Sequence, residues 1–260
     1  MRELHPVIFL GAGPGDPELI TVKGQKALAR ADVVVYAGSL VSAAVLGWAR
    51  PGAECIDTAP LNLEQILEKI IAAHKAGRRV VRVHSGDPAL FSAMQEQLEV
   101  LEEAGVPYQV IPGVTAAAAA AAALAQELTL PEVTQTVILT RAPGRTPVPE
   151  AEALEKLAGH GATLVIYLSA KLIDAVVAAL TPAYGPQAPA VVAYRVSWPE
   201  QKFIRGTLAT IAGLARQAGI ERQALILVGP ALSSLEARLK ARSKLYDRSF
   251  SHGFRPGPPD

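Results

Sequence analysis

The tripeptide Gly-Asp-Pro occurs twice in this 260-residue chain, at Gly15-Asp16-Pro17 and at Gly86-Asp87-Pro88. Each copy follows a short apolar run and precedes a helical pattern. The first lies within Gly11-Ala12-Gly13-Pro14-Gly15-Asp16-Pro17, the second within Ser85-Gly86-Asp87-Pro88. Glycines let a ligand approach the backbone closely. A strand, a tight turn and a helix start together mark the carboxyl end of a strand as a place for a nucleotide-like ligand. Neither loop is a phosphate cradle. A dinucleotide fingerprint needs glycine where Asp16 stands, and the Gly-Lys-Ser/Thr of a P-loop is absent. An acid at the helix start repels pyrophosphate, so the ligand expected here carries little negative charge or a positive one. Asp87 could accept hydrogen bonds from a ligand hydroxyl or amino group. The competing reading is two tight turns built from common turn residues.

These loops need a parallel sheet behind them. Val7–Leu10, Asp32–Tyr36, Arg79–His84 and Tyr108–Ile111 read as strands. Glu18–Ala31, Leu61–Ala76 and Phe91–Ala104 read as the helices between them. Asp16 suits a helix N-cap and Pro17 the first helical position. Pro112-Gly113-Val114-Thr115 then leads into eight alanines, Ala116–Ala123, with Thr115 as the natural cap. The alanine run reads as helix propensity and close packing, with a ligand role only at its first turn. The β-α-β-α-β-α-β-α order predicts a mostly parallel sheet with helices on its faces.

The second half reads differently. Strands are expected at Thr136–Thr140, Thr163–Leu168 and Gln223–Val228. A hairpin joins Ala190–Ser197 to Lys202–Thr207 through Trp198-Pro199-Glu200-Gln201. Helices are expected at Ala151–Leu157, Leu172–Leu180 and Leu208–Ala218. The expected organisation is an α/β domain at 1–130, a mixed-sheet α/β domain at 131–235 joined near Leu130-Pro131, and a basic tail at 236–260. That tail holds Lys or Arg at 238, 240, 242, 244, 248 and 255, and its last residues are expected to be mobile.

Composition narrows the function. A net charge of +1 and 5% aromatic residues give no general basis for nucleic-acid binding, so a polyanionic ligand would need local arginines. The single cysteine, Cys55, allows no internal disulfide framework and suits a reducing cytoplasm. The five histidines form no metal-ligand spacing, so no metal site is expected. No apolar run is long enough to span a membrane, and none has the pattern of a signal peptide.

Five blocks in order resemble the tetrapyrrole (precorrin) methyltransferases. They are Gly11–Pro17, Tyr36-Ala37-Gly38-Ser39-Leu40-Val41, Val81-Arg82-Val83-His84-Ser85-Gly86-Asp87-Pro88, Ile111-Pro112-Gly113-Val114-Thr115-Ala116, and Tyr194-Arg195-Val196-Ser197-Trp198-Pro199. Within that family the segment Leu130–Pro149 is similar to the enzymes that methylate carbon 11 of precorrin-4 in cobalamin biosynthesis. The resemblance implies a two-lobed α/β fold with the active site in the cleft between lobes, a homodimer, and S-adenosylmethionine as methyl donor, leaving S-adenosylhomocysteine. It assigns cofactor contacts to Pro14, Ser85, Gly86, Asp87, Leu90, Thr115, Ala116, Leu168 and Val196. Some relatives carry an acid in the loop that here spans Tyr36–Val41, where this chain has Gly38, so no general base is assigned. The implied substrate bears many carboxylates, which arginine forks match. Arg141 and Arg145 are the first candidates to bind them, with Arg82 and Arg195 behind. For each, the alternative is a solvated surface position or an ordinary ion pair. Three other functions fit the residues less closely: the same fold acting on another tetrapyrrole carbon, an rRNA ribose or a modified protein histidine; a dinucleotide-dependent oxidoreductase; and a non-catalytic binding module.

Overall fold

The computed structural model describes residues 5–235, 243–247 and 249–255 of the chain. They form two compact units, one made of residues 1–120 with 195–201, the other of residues 121–194 with 202–260. The join expected at Leu130-Pro131 lies within the second unit.

In the first unit the strands are β1 (Val7–Gly11), β2 (Val33–Tyr36), β3 (Glu54–Asp57), β4 (Val80–His84) and β5 (Tyr108–Ile111). The helices are α1 (Val22–Leu28), α2 (Leu63–Lys75), α3 (Met94–Glu103) and the start of α4 (Ala116–Ala123). The strands order as β3-β2-β4-β1-β5, and every pair is parallel. The neighbours β1 and β4 send their chains to opposite sides: β2 lies beyond β4, and β5 lies beyond β1. Ligands of open α/β sheets collect at the carboxyl ends of such strands.

Side-chain alternation divides this core between the two faces. Val7, Phe9, Val33, Val35 and Val80 pack with Ile66, Leu67 and Ile70 of α2 and Leu98 and Leu101 of α3. Leu10, Val34, Val81 and Val83 pack on the other side with Leu28 of α1. Arg82 and His84 follow Val80 in the same register, so they stand on the α2/α3 face.

Two elements depart from the sequence pattern. The helix expected from Glu18 is a 3-10 turn, Pro17–Leu19, capped by Asp16, whose carboxylate accepts from Glu18 N at 2.8 Å. Ile20 is extended, and Thr21 caps a new start at Val22 by accepting from Gly24 N at 3.1 Å. Val22 consequently points outward, 65% exposed. The second departure is β3, absent from the pattern because its Glu54, Cys55 and Asp57 are exposed and only Ile56 is partly buried.

The second unit holds β6 (Val137–Arg141), β7 (Thr163–Tyr167), β8 (Pro189–Tyr194), β9 (Lys202–Thr207) and β10 (Ala224–Val228). Their order is β6-β7-β10-β8-β9, with β6 and β7 parallel and the other pairs antiparallel, a mixed sheet as expected. α5 (Leu154–Ala158), α6 (Ile173–Tyr184) and α7 (Ile211–Gln217) cover the core of Leu164, Ile166, Val192, Ile226 and Val228. The strand expected to reach Ser197 stops at Tyr194, because Arg195 and Ser197 take left-handed φ values of 43° and 65°. In the tail, Arg255 Nη2 donates to the carbonyls of Leu245 and Asp247, each at 2.7 Å. The expectations for 236–242 and 256–260 fall outside the described residues. Among the described residues no helix is long and apolar enough to cross a membrane.

Candidate active site

Three loops leave the carboxyl edge of the first sheet side by side, and their backbones lock together. Ala12 N donates to His84 O at 2.9 Å, Gly13 N to Gly86 O at 3.2 Å, and Gly86 N to Gly13 O at 2.8 Å. A Cβ on Gly11 would lie 2.6 Å from Gly113 Cα and 2.7 Å from Gly86 O, so only glycine fits this crossing. Asp87 ties the second loop to the third. Its Oδ2 accepts from Gly113 N at 2.8 Å and its Oδ1 from Ala89 N at 2.7 Å. The sequence offers Asp87 to a ligand; in the structure each oxygen already holds a backbone amide.

Residues 195–201 complete this edge. Ser197 Oγ accepts from Asp16 N at 2.9 Å, and Trp198 Nε1 donates to Pro14 O at 2.8 Å. The Trp198 ring fills the space a side chain at Gly15 would need. Arg195 stacks over that ring, 5.0 Å from its centroid, and pairs with Glu200 at 3.3 Å. Pro14, Ser85, Gly86, Asp87, Leu90, Thr115, Ala116 and Val196 are thus all in the first unit. Gly86 has a φ of +65°, and a Cβ there would meet nothing closer than 3.9 Å, at Ala116 N, Thr115 Cα and Val114 O. The Gly86 backbone therefore lies within van der Waals reach of the start of α4.

Leu168, Arg141 and Arg145 belong to the second unit. Arg141 and Leu168 sit at the carboxyl ends of the parallel neighbours β6 and β7, where Ser169 Oγ accepts from Ala142 N at 2.8 Å. Leu168 combines a left-handed φ of 55° with 70% exposure, a strained and solvent-facing leucine. Arg141 donates to Thr146 O at 3.1 Å and Pro147 O at 2.5 Å, so its guanidinium staples its own loop. Arg145 is exposed and makes no hydrogen bond or ion pair among the described residues.

Two features, Asp57 and His84, had no clear sequence signal, and Arg82, a secondary candidate from the sequence, lies beside the second of them. Asp57, on the unexpected β3, puts its carboxylate against Gly38, accepting from Gly38 N at 2.9 Å and Ala59 N at 2.8 Å. A Cβ on Gly38 would lie 2.7 Å from Asp57 Cγ. The bond from Ala59, then that from Gly38, hold this carboxyl below its ordinary range. Arg82 is buried; its Nε donates to Gln97 Oε1 at 3.2 Å, and its Nη1 reaches Val35 O and Thr58 Oγ1 at 3.4 Å. Burial pushes its pKa down to about 10. His84 stacks on Phe9, with ring centroids 5.7 Å apart, and burial followed by the charge of Arg82 takes its pKa down to about 3. A lone histidine in a strand gives no pattern to read, and it becomes informative only once β4 is placed against α3.

The sequence model of the Tetrapyrrole (Corrin/Porphyrin) Methylases matches residues 6–212. The chain belongs to the tetrapyrrole methylases. It is 47% identical over 256 residues to a cobalt-precorrin-4 C(11)-methyltransferase of Methanocaldococcus jannaschii, covering 98% of each chain. To a precorrin-4 C(11)-methyltransferase of Pseudomonas aeruginosa it is 50% identical over 251 residues, covering 96% of this chain and 99% of the other. Among solved structures, the X-ray structure of a cobalt precorrin-4 methyltransferase, titled a cobalamin biosynthetic enzyme, superposes with a TM-score of 0.85 at 47% identity. That match covers 87% of this chain and 95% of the other. The uroporphyrin-III C-methyltransferase of Thermus thermophilus complexed with S-adenosylhomocysteine matches at a TM-score of 0.72 and 27% identity, over 91% and 97% of the two chains. The methylase fold expected from the five sequence blocks is the fold observed.

Proposed function

We propose that this chain transfers a methyl group from S-adenosylmethionine to carbon 11 of precorrin-4, with or without cobalt, at the precorrin-5 stage of cobalamin biosynthesis. The observation that carries the reading is identity near one half, over almost the whole length, to enzymes named for that reaction. A homodimer in the cytoplasm is part of the same proposal, supported by the family resemblance and by the single cysteine.

The residues of the first unit suit this cofactor. Their loops offer carbonyls, the acid Asp16 and the small surface between Gly86 and the start of α4, and no cation stands among Gly11–Pro17 or Ser85–Pro88. Such a set favours a sulfonium with a zwitterionic tail over a pyrophosphate. Pro14, Ser85, Gly86, Leu90, Thr115, Ala116 and Val196 would hold it here; the family resemblance adds Leu168 to the set. Asp87 takes part by fixing Gly113 and Ala89, which orients the second and third loops. When bound, S-adenosylmethionine supplies an electrophilic methyl group on a positively charged sulfur.

The chain's own work is positioning, since a methyl transfer gains most from alignment of the reacting atoms. Arg145 is the leading carboxylate receptor, because its guanidinium has no hydrogen bond or ion pair among the described residues. Arg141 supports it indirectly by ordering the loop that carries it. Methylation at carbon releases a proton. The ionised Asp57, whose Oδ2 makes no hydrogen bond among the described residues, is our candidate acceptor.

The test is an anaerobic incubation with methyl-labelled S-adenosylmethionine and reconstituted precorrin-4, read by mass spectrometry and NMR. One labelled methyl at carbon 11 is the expected result. Cofactor binding without transfer to precorrin-4 or its cobalt form overturns the substrate, and absence of both binding and transfer overturns the whole reading.

A further inference from the structure

His84 is 5% exposed, and its Nε2 is buried with no hydrogen-bond partner among the described residues. An unsatisfied buried polar atom costs free energy that an apolar side chain of similar size would not. Phe9 already walls one face of the ring at 5.7 Å, so packing alone would be served as well by leucine. Two residues earlier on the same strand and face, Arg82 is 6% exposed. Among the described residues no carboxylate pairs with it, and its Nη2 donates to nothing. A buried cation facing only neutral oxygens is an incomplete arrangement.

The surroundings hold both groups rigidly. Gln97 of α3, itself buried, accepts from Arg82 Nε at 3.2 Å and donates through Nε2 to Ala93 O at 2.9 Å. Thr58 Oγ1, 3.4 Å from Arg82 Nη1, donates to Tyr36 O at 3.1 Å. Arg82 therefore has a fixed base of neutral partners, and Nη2 and the imidazole are left over. Both stand on one face of β4 at its carboxyl end, immediately before Ser85-Gly86-Asp87. Burial, and after it the neighbouring guanidinium, keep the imidazole neutral, so it can donate one proton without adding a second charge.

We infer that His84, with its proton on Nε2, is a specificity-determining residue that joins Arg82 in binding one carboxylate of an anionic substrate at the carboxyl end of β4. Arg82 provides the charge and His84 a directional N–H, so a carboxylate is held where an ester or amide is not. The inference rests on the tetrapyrrole reading for the identity of that carboxylate, one of the substrate's acetate or propionate arms.

The test uses the full-length chain with His84→Leu and His84→Gln. It measures thermal unfolding without ligand at pH 8, S-adenosylhomocysteine affinity by calorimetry, and steady-state KM and kcat for the tetrapyrrole. The Leu variant should melt at or above the parent temperature and bind S-adenosylhomocysteine within twofold of the parent. Its KM for the tetrapyrrole should rise at least tenfold, the scale of one hydrogen bond to a charged group. The Gln variant, which keeps an N–H donor, should recover most of that loss. A Leu variant that loses stability while KM stays unchanged would overturn the inference in favour of packing. Cofactor affinity falling in step with KM would overturn it in favour of support for the Ser85–Asp87 loop. Parent enzyme that binds S-adenosylhomocysteine yet methylates no tetrapyrrole would instead refute the proposed function, a result independent of the variants.

Discussion

Replacing Asp87 by Asn isolates the link that holds the third loop to the second. The two carboxylate oxygens each accept one amide, from Ala89 at 2.7 Å and Gly113 at 2.8 Å. Asparagine keeps the shape but offers one acceptor and one donor, so one of the two amides must face an N–H. The Ala89 bond is exposed and the Gly113 bond is partly buried, so water can replace the first more readily than the second. A hydrogen bond to a charged group is worth about 1.5–3 kcal/mol, and a flip of the amide toward Gly113 would limit the loss to the lower end. The expected destabilisation is about 2 kcal/mol, which for a chain of this size lowers the melting temperature by about 4–8 °C. S-adenosylhomocysteine affinity should fall as well, because Gly113 sets the direction in which the chain enters α4. Thermal scans with and without the ligand measure both effects. An Asn variant that melts within 1 °C of the parent and binds the ligand equally would refute the view that Asp87 acts as a tie between loops.

Gly113→Ala should cost more, about 3 kcal/mol or above by urea unfolding. Its Cβ would strike the Gly86 carbonyl and lie 2.8 Å from Gly11 Cα, backbone atoms that cannot rotate away. Arg145→Ala should raise KM for the tetrapyrrole several-fold with S-adenosylmethionine KM unchanged. Arg141→Ala should instead speed proteolysis within 142–149, since it frees the carbonyls that guanidinium now holds. Asp57→Asn should lower kcat at least tenfold with little change in S-adenosylhomocysteine affinity by calorimetry. Stability should fall as pH drops from about 6.5 toward about 3, the window between the ordinary His pKa and that of folded His84. There the unfolded chain takes up a proton that the folded chain refuses, a slope of up to about 1.4 kcal/mol per pH unit. Urea midpoints against pH should be flatter for His84→Phe.

The sequence carried the glycine loops well because their geometry leaves few other residues possible. Gly11 and Gly113 are forced by the backbone crossing, and Asp16 does cap the turn that follows the first loop. Consecutive valines placed β2 and β4, because both strands are buried on two faces. β3 lacked that signature because an exposed edge strand keeps polar side chains, and only its pairing with β2 identifies it. Asp57 was invisible with it. Arg141 shows a different limit. A Pro/Gly loop after a strand suggests a presented side chain, yet the loop's own unpaired carbonyls were the nearer acceptors. Spacing along the chain says nothing about residues 181 or 184 positions apart, so the bonds from Asp16 to Ser197 and from Trp198 to Pro14 could not be read in advance.

Those two bonds bear on how the chain is made. The loop between β1 and α1 is synthesised among the first twenty residues, but its partners Ser197 and Trp198 follow only after Ala121–Tyr194 has been translated. At about 5–20 residues per second, the roughly 180 residues between them take about 9–36 s. During that time the Asp16 amide and the Pro14 carbonyl have only water to bond, and no tryptophan ring covers Gly15. The first unit thus stays unfinished on the ribosome until the tip of the β8–β9 hairpin emerges. A nascent chain stalled just before residue 195 should accordingly remain cleavable at Pro14–Pro17, and one stalled well beyond residue 201 should be protected there.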